Sequence, residues 1–306
     1  MDTCILIPSY EKYRALAGIT ANQIDRHWRD HPPILFCGLS NPARQGDTLL
    51  MLQRSSDDWI SILIDAVREV RERGFRIAYL ILDDHPPLGP CRWDLLNTVL
   101  PQVMLNQDAE NISLFGSRQG RHIEGNVFLE AGVELEQLPD SYLWRYSLHP
   151  SLWSLTALAN LLDKVNARMT ENNGRTPWAF ERLSGVRISQ GNNKNMTQCY
   201  RLTSAESTAS RRDQLIEFLY RSCGVGSRSI AGMVGGPVQW DRMSHRFNFI
   251  HHYFGGPYPI IWQGVMAKGR LNPEFAKFCH YFLKGDLLRS ATTLIADDAP
   301  GWSECV

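Results

Sequence analysis

The chain has 306 residues, 43% of them hydrophobic, and its 32 basic and 32 acidic side chains balance at neutral pH. This length and composition allow one substantial hydrophobic core without help from metals or disulfides. Because the charges balance, no overall field attracts nucleic acid or an anionic membrane, and we expect no nucleic-acid partner.

Cysteine and hydropathy patterns bear on the compartment. The seven cysteines are scattered, odd in number and without a C-x-x-C pair, which favours a reducing compartment. The first residues lack a basic leader, and no window approaches the ~18 consecutive apolar residues of a membrane-spanning helix. The sequence therefore predicts a cytoplasmic protein without a transmembrane segment.

The first part of the chain alternates apolar runs with an amphipathic helix. Residues 3–8 and 33–39 are nearly continuous apolar runs, which predict strands buried on both faces. Residues 56–58 offer capping oxygens to a helix over residues 59–70, whose apolar positions recur at helical spacing. Residues 75–82 predict the next strand. A strand, a helix and a strand in this order predict a parallel sheet.

The alternation continues towards the middle of the chain. Residues 93–105 predict a helix and residues 111–115 a strand, as in an open α/β sheet with helices on both faces. Residues 142–148 predict a later strand, and Pro150-Ser151 opens an apolar helix. A short helix is predicted to begin at Thr176-Pro177-Trp178.

Two adjacent carboxylates, Asp83 and Asp84 (the acidic pair), follow the strand predicted at residues 75–82. They repel each other unless a cation or hydrogen-bond donors offset their charge, so we expect the pair to bind something. Ligands of open α/β sheets bind beyond the carboxyl ends of the strands, which brings Pro8-Ser9-Tyr10 to the same edge. A simple turn cap before Pro86 is the other interpretation, and the pair alone does not decide between them.

Four segments together resemble one superfamily. They are Asp58-Trp59 leading to Ile81-Leu82-Asp83-Asp84-His85, then Ser147-Leu148-His149-Pro150-Ser151-Leu152-Trp153, then Thr176-Pro177-Trp178-Ala179-Phe180-Glu181, and finally the apolar stretch from Ile260 to the Lys268-Gly269 loop. In order and spacing they resemble the glycosyltransferase A superfamily. The resemblance is closest to bacterial enzymes that build surface polysaccharides such as capsule, exopolysaccharide and lipopolysaccharide.

This resemblance implies an open, mostly parallel sheet of the glycosyltransferase A type with a nucleotide-sugar donor site. The donor would lie across Pro8, Ser9, Tyr10 and the acidic pair, with Tyr10 stacking on the base. One carboxylate would accept hydrogen bonds from the ribose, and the other, for which we prefer Asp84, would hold Mg²⁺ or Mn²⁺ beside the diphosphate. Lys268 would approach the diphosphate as a point charge, although a lone lysine is usually solvated.

Glu181 is the candidate general base. The resemblance locates this position, and an acidic residue at the start of a helix opened by Pro177 and Trp178 can lie over a donor site and deprotonate an acceptor hydroxyl. The alternative is a first-turn glutamate that is favoured by the helix dipole. We expect Trp153 to be a core residue. A core position is also the commoner outcome for Trp178, with packing against a sugar face as the lesser alternative for both.

Three histidines carry separate expectations. His85 stands where the family usually has a tyrosine, a departure that bears on the metal because a histidine there could ligate it, form a hydrogen bond or only pack. An exposed turn histidine is the commoner outcome. His251-His252 forms a doublet, but adjacent residues of a strand point away from each other, so we expect a structural role.

The last third of the chain has a different pattern from the rest. It contains Ser- and Gly-rich stretches, a predicted helix at residues 213–220 and an aromatic segment at residues 240–262. We interpret it as acceptor-side structure packed on the same core. The predicted division is a nucleotide-sugar-binding core at residues 1–200 and an acceptor-side and closing region at residues 201–306.

The sequence thus predicts an enzyme that moves a sugar from a nucleotide-sugar donor to a saccharide, a glycolipid or another hydroxyl acceptor. A nicotinamide enzyme and a P-loop NTPase are disfavoured, because the first strand leads to Pro8-Ser9-Tyr10-Glu11 and no G-x-x-x-x-G-K-[ST] segment occurs. A dehalogenase-type phosphatase is disfavoured because its Asp-x-Asp-x-Thr arrangement is missing. The remaining alternative is a non-catalytic nucleotide- or saccharide-binding protein of the same fold.

Overall fold

The structure is a computed structural model. It describes residues 2–50, 58–116, 126–130, 132–140, 142, 145–169, 175–185, 196–202, 253–254, 257–261, 264–267 and 270–272. Lys268, His251-His252, the helix predicted at residues 213–220 and most of the predicted acceptor-side region lie outside these ranges. The predicted domain division therefore stays a prediction.

Within the described ranges, nine strands belong to one sheet. They are β1 Thr3–Pro8, β2 Ile34–Cys37, β3 Thr48–Leu50, β4 Ile77–Leu80, β5 Asn111–Gly116, β6 Asn126–Glu130, β7 Val133–Pro139, β8 Ser151–Ser154 and β9 Met196–Leu202. Two antiparallel ribbons are formed by β10 Tyr253–Phe254 with β11 Ile260–Ile261, and by β12 Met266–Ala267 with β13 Arg270–Leu271.

Five α-helices are described in the same ranges. They are α1 Arg14–His27, α2 Trp59–Glu72, α3 Leu100–Asn106, α4 Leu155–Ala167 and α5 Pro177–Gly185. A 3₁₀ turn at Glu11–Tyr13 precedes α1, and a π-helical segment at Leu95–Val99 precedes α3. Asp58 caps α2 as predicted, because its side chain accepts a hydrogen bond from the Ser61 amide.

The sheet order is β3-β2-β1-β4-β8-β5-β9-β7-β6. The first four strands in this order are parallel, β8 runs antiparallel between β4 and β5, and β9 is parallel to β5. The antiparallel pairs of β7 with β9 and with β6 leave seven of the nine described strands running in one direction. The predicted α/β class with an open, mostly parallel sheet is confirmed.

Helices cover both faces of the sheet. Successive side chains of a strand point to opposite faces, so Ile5 and Ile7 pack in one core with α1 and α3. Cys4 and Leu6 pack in the other core with α2, α4 and α5. This arrangement agrees with the predicted placement of helices on both faces.

The strand predicted at residues 142–148 is wrong. Residues 145–150 form turns and irregular loop, and the strand is β8, which starts where a helix was predicted. The error has a physical reason, because β8 is buried on both faces: Leu152 lies in one core and Trp153 in the other. Its apolar residues therefore do not alternate with polar ones and merge with the pattern of α4, which begins after the Ser154 cap.

Two further observations concern the described helices and cysteines. Among the described helices, none is long and apolar enough to cross a membrane. The four cysteines in the described ranges are buried and form no disulfide with one another: Cys4, Cys37, Cys91 and Cys199.

Candidate active site

The carboxyl ends of β1 and β4 bring two predicted site segments together. The amide of Ser9 donates to the Cys37 carbonyl, and its Oγ donates to Oδ2 of Asp83 at 2.5 Å. Thr20 of α1, which the sequence analysis passed over, donates its hydroxyl to the Asp83 carbonyl oxygen at 2.5 Å. Both donors hold Asp83 at the edge of the sheet.

The Asp83 carboxyl lies in a mostly buried environment. Burial, and then the neighbouring charge of Asp84, raise its pKa from 3.8 to about 8, although the hydrogen bond from Ser9 opposes the shift. Ionising this buried acid is energetically costly, and such raised pKa values are common at functional sites. A binding role for the acidic pair stays a prediction, with the simple turn cap as its alternative.

Asp84 is more accessible than Asp83. Its side chain is 21% exposed, and its Oδ1 lies 2.7 Å from Nδ1 of His85. The expectation that His85 is an exposed turn residue is wrong, because His85 is buried. The residues after His85 fold back beneath residues 257–259: the Tyr258 hydroxyl donates to the His85 carbonyl at 3.0 Å, and the Leu88 amide donates to the Pro259 carbonyl at 2.8 Å.

The closing segment predicted near the end of the chain forms a wall beside Asp84. The Val265 amide donates to the Asp84 carbonyl at 2.7 Å. Gly264 has φ +68°, and a Cβ at this position would lie 2.6 Å from Oδ2 of Asp84. Asn272 supports the wall with hydrogen bonds to the carbonyls of Gly264 and Val265, at 3.0 and 2.8 Å. Glycine is needed here because the backbone approaches the carboxylate closely.

Glu181 approaches the same edge from α5. Its Oε1 accepts hydrogen bonds from the Leu148 amide at 2.8 Å and from the Ser147 hydroxyl at 3.1 Å. Ser147 Oγ also lies 2.6 Å from Nδ1 of His149. Glu181 is not in the first turn of α5. Its carboxylate is therefore positioned by Ser147 and Leu148, in the loop before β8, and not by the N-terminus of its own helix.

Two histidine rings join the Glu181 contacts to the acidic pair. The ring centroids of His85 and His149 lie 5.3 Å apart, with the rings nearly perpendicular at 80°. His85 in turn contacts Asp84, and His149 contacts Ser147. The structure thus places the predicted base and the predicted donor carboxylates in one cluster.

The two tryptophans of the predicted site have different environments. Trp153 is fully buried, stacked on Tyr146 with ring centroids 5.9 Å apart, which confirms the core prediction. The core prediction for Trp178 is wrong, because this side chain is 77% exposed. The reason is the orientation of α5: Ala179 and Phe180 are buried, and Phe180 meets the Trp59 ring edge-on, so Trp178 faces away.

Arg175 forms contacts that were not predicted from the sequence. Its Nε donates to Oδ1 of Asp58 at 2.6 Å, and its terminal nitrogen donates to Ser61 Oγ and Asn166 Oδ1, both at 2.8 Å. Burial favours a neutral Asp58, but the hydrogen bonds from Arg175 and Ser61 outweigh it and lower the Asp58 pKa. Arg175 thereby ties the residues before α5 to the cap of α2.

Tyr10 follows Ser9 directly and is half-buried. Its ring meets Tyr13 edge-on with centroids 6.3 Å apart, and the Lys12 Nζ lies 5.7 Å from its centroid. Tyr10 therefore lies next to the residue that holds Asp83, and its stacking on a nucleotide base stays a prediction.

The side-chain atoms of the acidic pair that could ligate a cation are carboxylate oxygens. Among the described residues, no group of three His, Cys, Asp or Glu side chains is arranged to hold a metal ion. Mg²⁺ is commonly held by one or two carboxylates together with substrate phosphates and water. The partly exposed Asp84 fits that mode of binding.

The similarity of the chain to known proteins is limited to solved structures. No family model and no curated protein sequence matches it. Among solved structures, it is similar to residues 1–349 of S. aureus TarS (11% identity, 98% of this chain and 83% of that chain, TM-score 0.35). It is also similar to A197 from STIV (11% identity, 67% and 83%, TM-score 0.30) and to mannose-1-phosphate geranyltransferase from Thermus thermophilus (12% identity, 66% and 74%, TM-score 0.34).

At these identities and TM-scores the likenesses say nothing about activity, which has to be inferred from the chain's own contacts. Its fold and site define an α/β protein with paired carboxylates at the carboxyl edge of the sheet. A third carboxylate faces the same edge from a neighbouring helix.

Proposed function

We propose that the chain is a nucleotide-sugar-dependent glycosyltransferase that transfers a sugar to a hydroxyl of a saccharide or glycolipid, in the biosynthesis of a surface polysaccharide or glycoconjugate. The observation that supports this proposal most is the single cluster formed by the acidic pair and Glu181. A carboxylate pair with one buried and one partly exposed member suits a polar, cation-assisted donor. A separately held carboxylate suits a base for the acceptor.

The donor would bind across the ends of β1 and β4. Asp83, held by Ser9, would accept hydrogen bonds from ribose hydroxyls, while Pro8 and Tyr10 would border the base. The more exposed Asp84 would face the diphosphate and hold Mg²⁺ or Mn²⁺. When bound, such an ion neutralises the charge that develops on the leaving diphosphate. Lys268, outside the described residues, is proposed as a further diphosphate contact.

The acceptor chemistry would centre on Glu181. Within the described residues, both of its hydrogen bonds go to Oε1, so Oε2 is the oxygen proposed to face an acceptor hydroxyl. The bond from the acceptor oxygen to the anomeric carbon would form as the bond from that carbon to the diphosphate oxygen breaks. The hydroxyl proton would pass to Glu181. A single displacement of this kind inverts the anomeric configuration.

The decisive experiment is a panel of nucleotide sugars, with and without Mn²⁺ or Mg²⁺, in which donor hydrolysis and transfer are both measured. We expect turnover of at least one donor, lost in Asp84→Asn. The matched control is Asp30→Asn, because Asp30 is an exposed carboxylate paired with Arg29 elsewhere on the surface. Nucleotide binding without any turnover would support the alternative of a non-catalytic binding protein.

The cation requirement has a separate test. If Asp84 holds a divalent ion, an excess of chelator should abolish transfer, and Mn²⁺ or Mg²⁺ should restore it. Full transfer in chelator would mean that basic side chains or backbone amides stabilise the leaving group, and that the acidic pair serves only the ribose.

A further inference from the structure

Trp178 is the most exposed large hydrophobic side chain among the described residues, at 77%. It nevertheless stands on a well-anchored turn. Its neighbours Ala179 and Phe180 are buried, and Arg175, three residues earlier, is bonded to α2 and α4. The exposed indole is thus presented in a defined orientation, although its removal from water would be favourable.

The exposed Trp178 is three residues before Glu181, the proposed base, on the same helix. Residues three apart on a helix are neighbours, with roughly 5–6 Å between their Cβ atoms. Helical side chains also lean towards the helix N-terminus, so the Glu181 side chain lies over the turn that includes Trp178. A flat apolar ring and a carboxylate therefore lie at neighbouring positions on α5.

We propose that Trp178 is a stacking platform for the acceptor, and that the acceptor residue bound there is a pyranose sugar. This inference rests on the proposed function and specifies its acceptor class. A pyranose presents C–H groups on one face, which pack on an indole, and hydroxyls at its rim. With the ring on Trp178, a rim hydroxyl reaches Glu181, the proposed base.

The surroundings of Trp178 favour a sugar over a protein partner. Protein interfaces have an extended apolar centre with a polar rim. Here a single ring is flanked in sequence by exposed Thr176 and Arg182 and by the half-buried Glu181. The other exposed large apolar side chains in the described ranges, Trp93, Leu105 and Leu129, belong to other parts of the chain. One aromatic ring among hydrogen-bonding side chains matches the mixed surface of a sugar.

The test is saturation-transfer NMR on the full chain with the methyl pyranosides of glucose, galactose, mannose and N-acetylglucosamine as probes. We expect at least one probe to receive saturation, strongest on the protons of one ring face. The signal should fall at least fivefold in Trp178→Ala and stay within about twofold of wild type in Trp178→Phe. Trp93→Ala is the matched control, because Trp93 is also exposed, at 45%, but lies away from α5.

Two results would overturn the platform: no probe binds the wild-type chain, or a probe binds Trp178→Ala as well as it binds the wild type. A thermal melt of each variant verifies folding, and Trp178→Ala should retain its midpoint because the side chain is exposed. The experiment needs no donor turnover. If saccharide binding depends on Trp178 but the chain turns over no nucleotide sugar, the proposed transferase activity is refuted and the Trp178 platform stands. If the chain turns over a nucleotide sugar but saccharide binding does not depend on Trp178, the platform is refuted and the transferase activity stands.

Discussion

Gly264→Ala is the sharpest perturbation of the candidate donor site. The new Cβ would lie 2.6 Å from Asp84 Oδ2 and 2.7 Å from its carbonyl oxygen, whereas ordinary contacts begin at 3.4 Å. The carboxylate must therefore shift by about 0.8 Å, the difference between 3.4 and 2.6 Å. The carbonyl accepts the Val265 amide, so moving it away weakens that hydrogen bond.

The magnitude follows from two contributions. A left-handed alanine costs roughly 1–2 kcal/mol, and a lost hydrogen bond adds about 0.5–1.5 kcal/mol. Gly46→Ala is the matched control, because Gly46 has φ +85° and nothing within 4 Å of its would-be Cβ. Gly46→Ala should lower the free energy of unfolding by the first amount only. Gly264→Ala should lower it by the sum of both amounts and should also bind nucleotide more weakly.

The assay has two arms. Urea unfolding gives the stability of each variant, and calorimetry with Mn²⁺ gives the affinity for the nucleoside diphosphate that best stabilises the wild-type chain in a thermal-shift screen. We expect at least a tenfold loss of affinity in Gly264→Ala and less than a twofold loss in Gly46→Ala. Equal stability losses and equal affinities in the two variants would refute the view that this glycine makes room for Asp84.

Three further predictions concern Glu181, Asp83 and Arg175. Glu181→Gln retains an oxygen that can accept from the Leu148 amide but lacks the basic carboxylate, so turnover should fall by about two decades or more while donor affinity barely changes. Asp83→Asn should be more stable than wild type at pH 8 by at least about 1.4 kcal/mol, the equivalent of one pKa unit, as measured by urea unfolding in chelator. Arg175→Met should lower the unfolding free energy by roughly 1–3 kcal/mol, because it leaves Asp58 without its charged partner, and it should raise the KM for the acceptor more than the KM for the donor.

The sign of the Asp83 prediction depends on its raised pKa. A folded-state pKa of about 8 against 3.8 means that the native state holds the proton more tightly. Stability is therefore lost as the pH rises from about 4 to about 8, and the asparagine variant escapes that loss. The two proteins should be closest in stability near pH 4, and a difference that does not change with pH would contradict the assignment.

The other two predictions have their own contrary outcomes. Near-normal turnover in Glu181→Gln, or a product with retained anomeric configuration, would remove Glu181 from the role of base. Equal increases in both KM values for Arg175→Met would show that Arg175 supports the fold in general and does not specifically position α5.

Local sequence signals predicted the elements that bear the acidic pair. The strand before Asp83 and the helix capped by Asp58 have their own apolar runs, caps and periodicity, and both are present near the predicted boundaries. The acidic pair could be located for the same reason, because it directly follows a strand whose carboxyl end faces the ligand edge of the sheet.

The errors arise where distant parts of the chain decide the outcome. The backbone of the buried His85 accepts a hydrogen bond from Tyr258, which is 173 residues away in sequence. Arg175 meets Asp58 across 117 residues. The segment β8 forms a strand because it pairs with both β4 and β5. Its apolar pattern alone fits the start of a helix. The exposure of Trp178 depends on which side of α5 packs on α2, which the sequence of so short a helix does not reveal.

The hydrogen bonds between residues 84–92 and residues 257–265 have a consequence for the order of assembly. Asp84, His85, Leu88 and Arg92 each form a hydrogen bond to this late segment. During synthesis, the strand before the acidic pair is therefore complete long before the wall beside it has been made. The acidic pair therefore gains its Gly264–Val265 wall only after residues 257–265 have been synthesised and have packed against it.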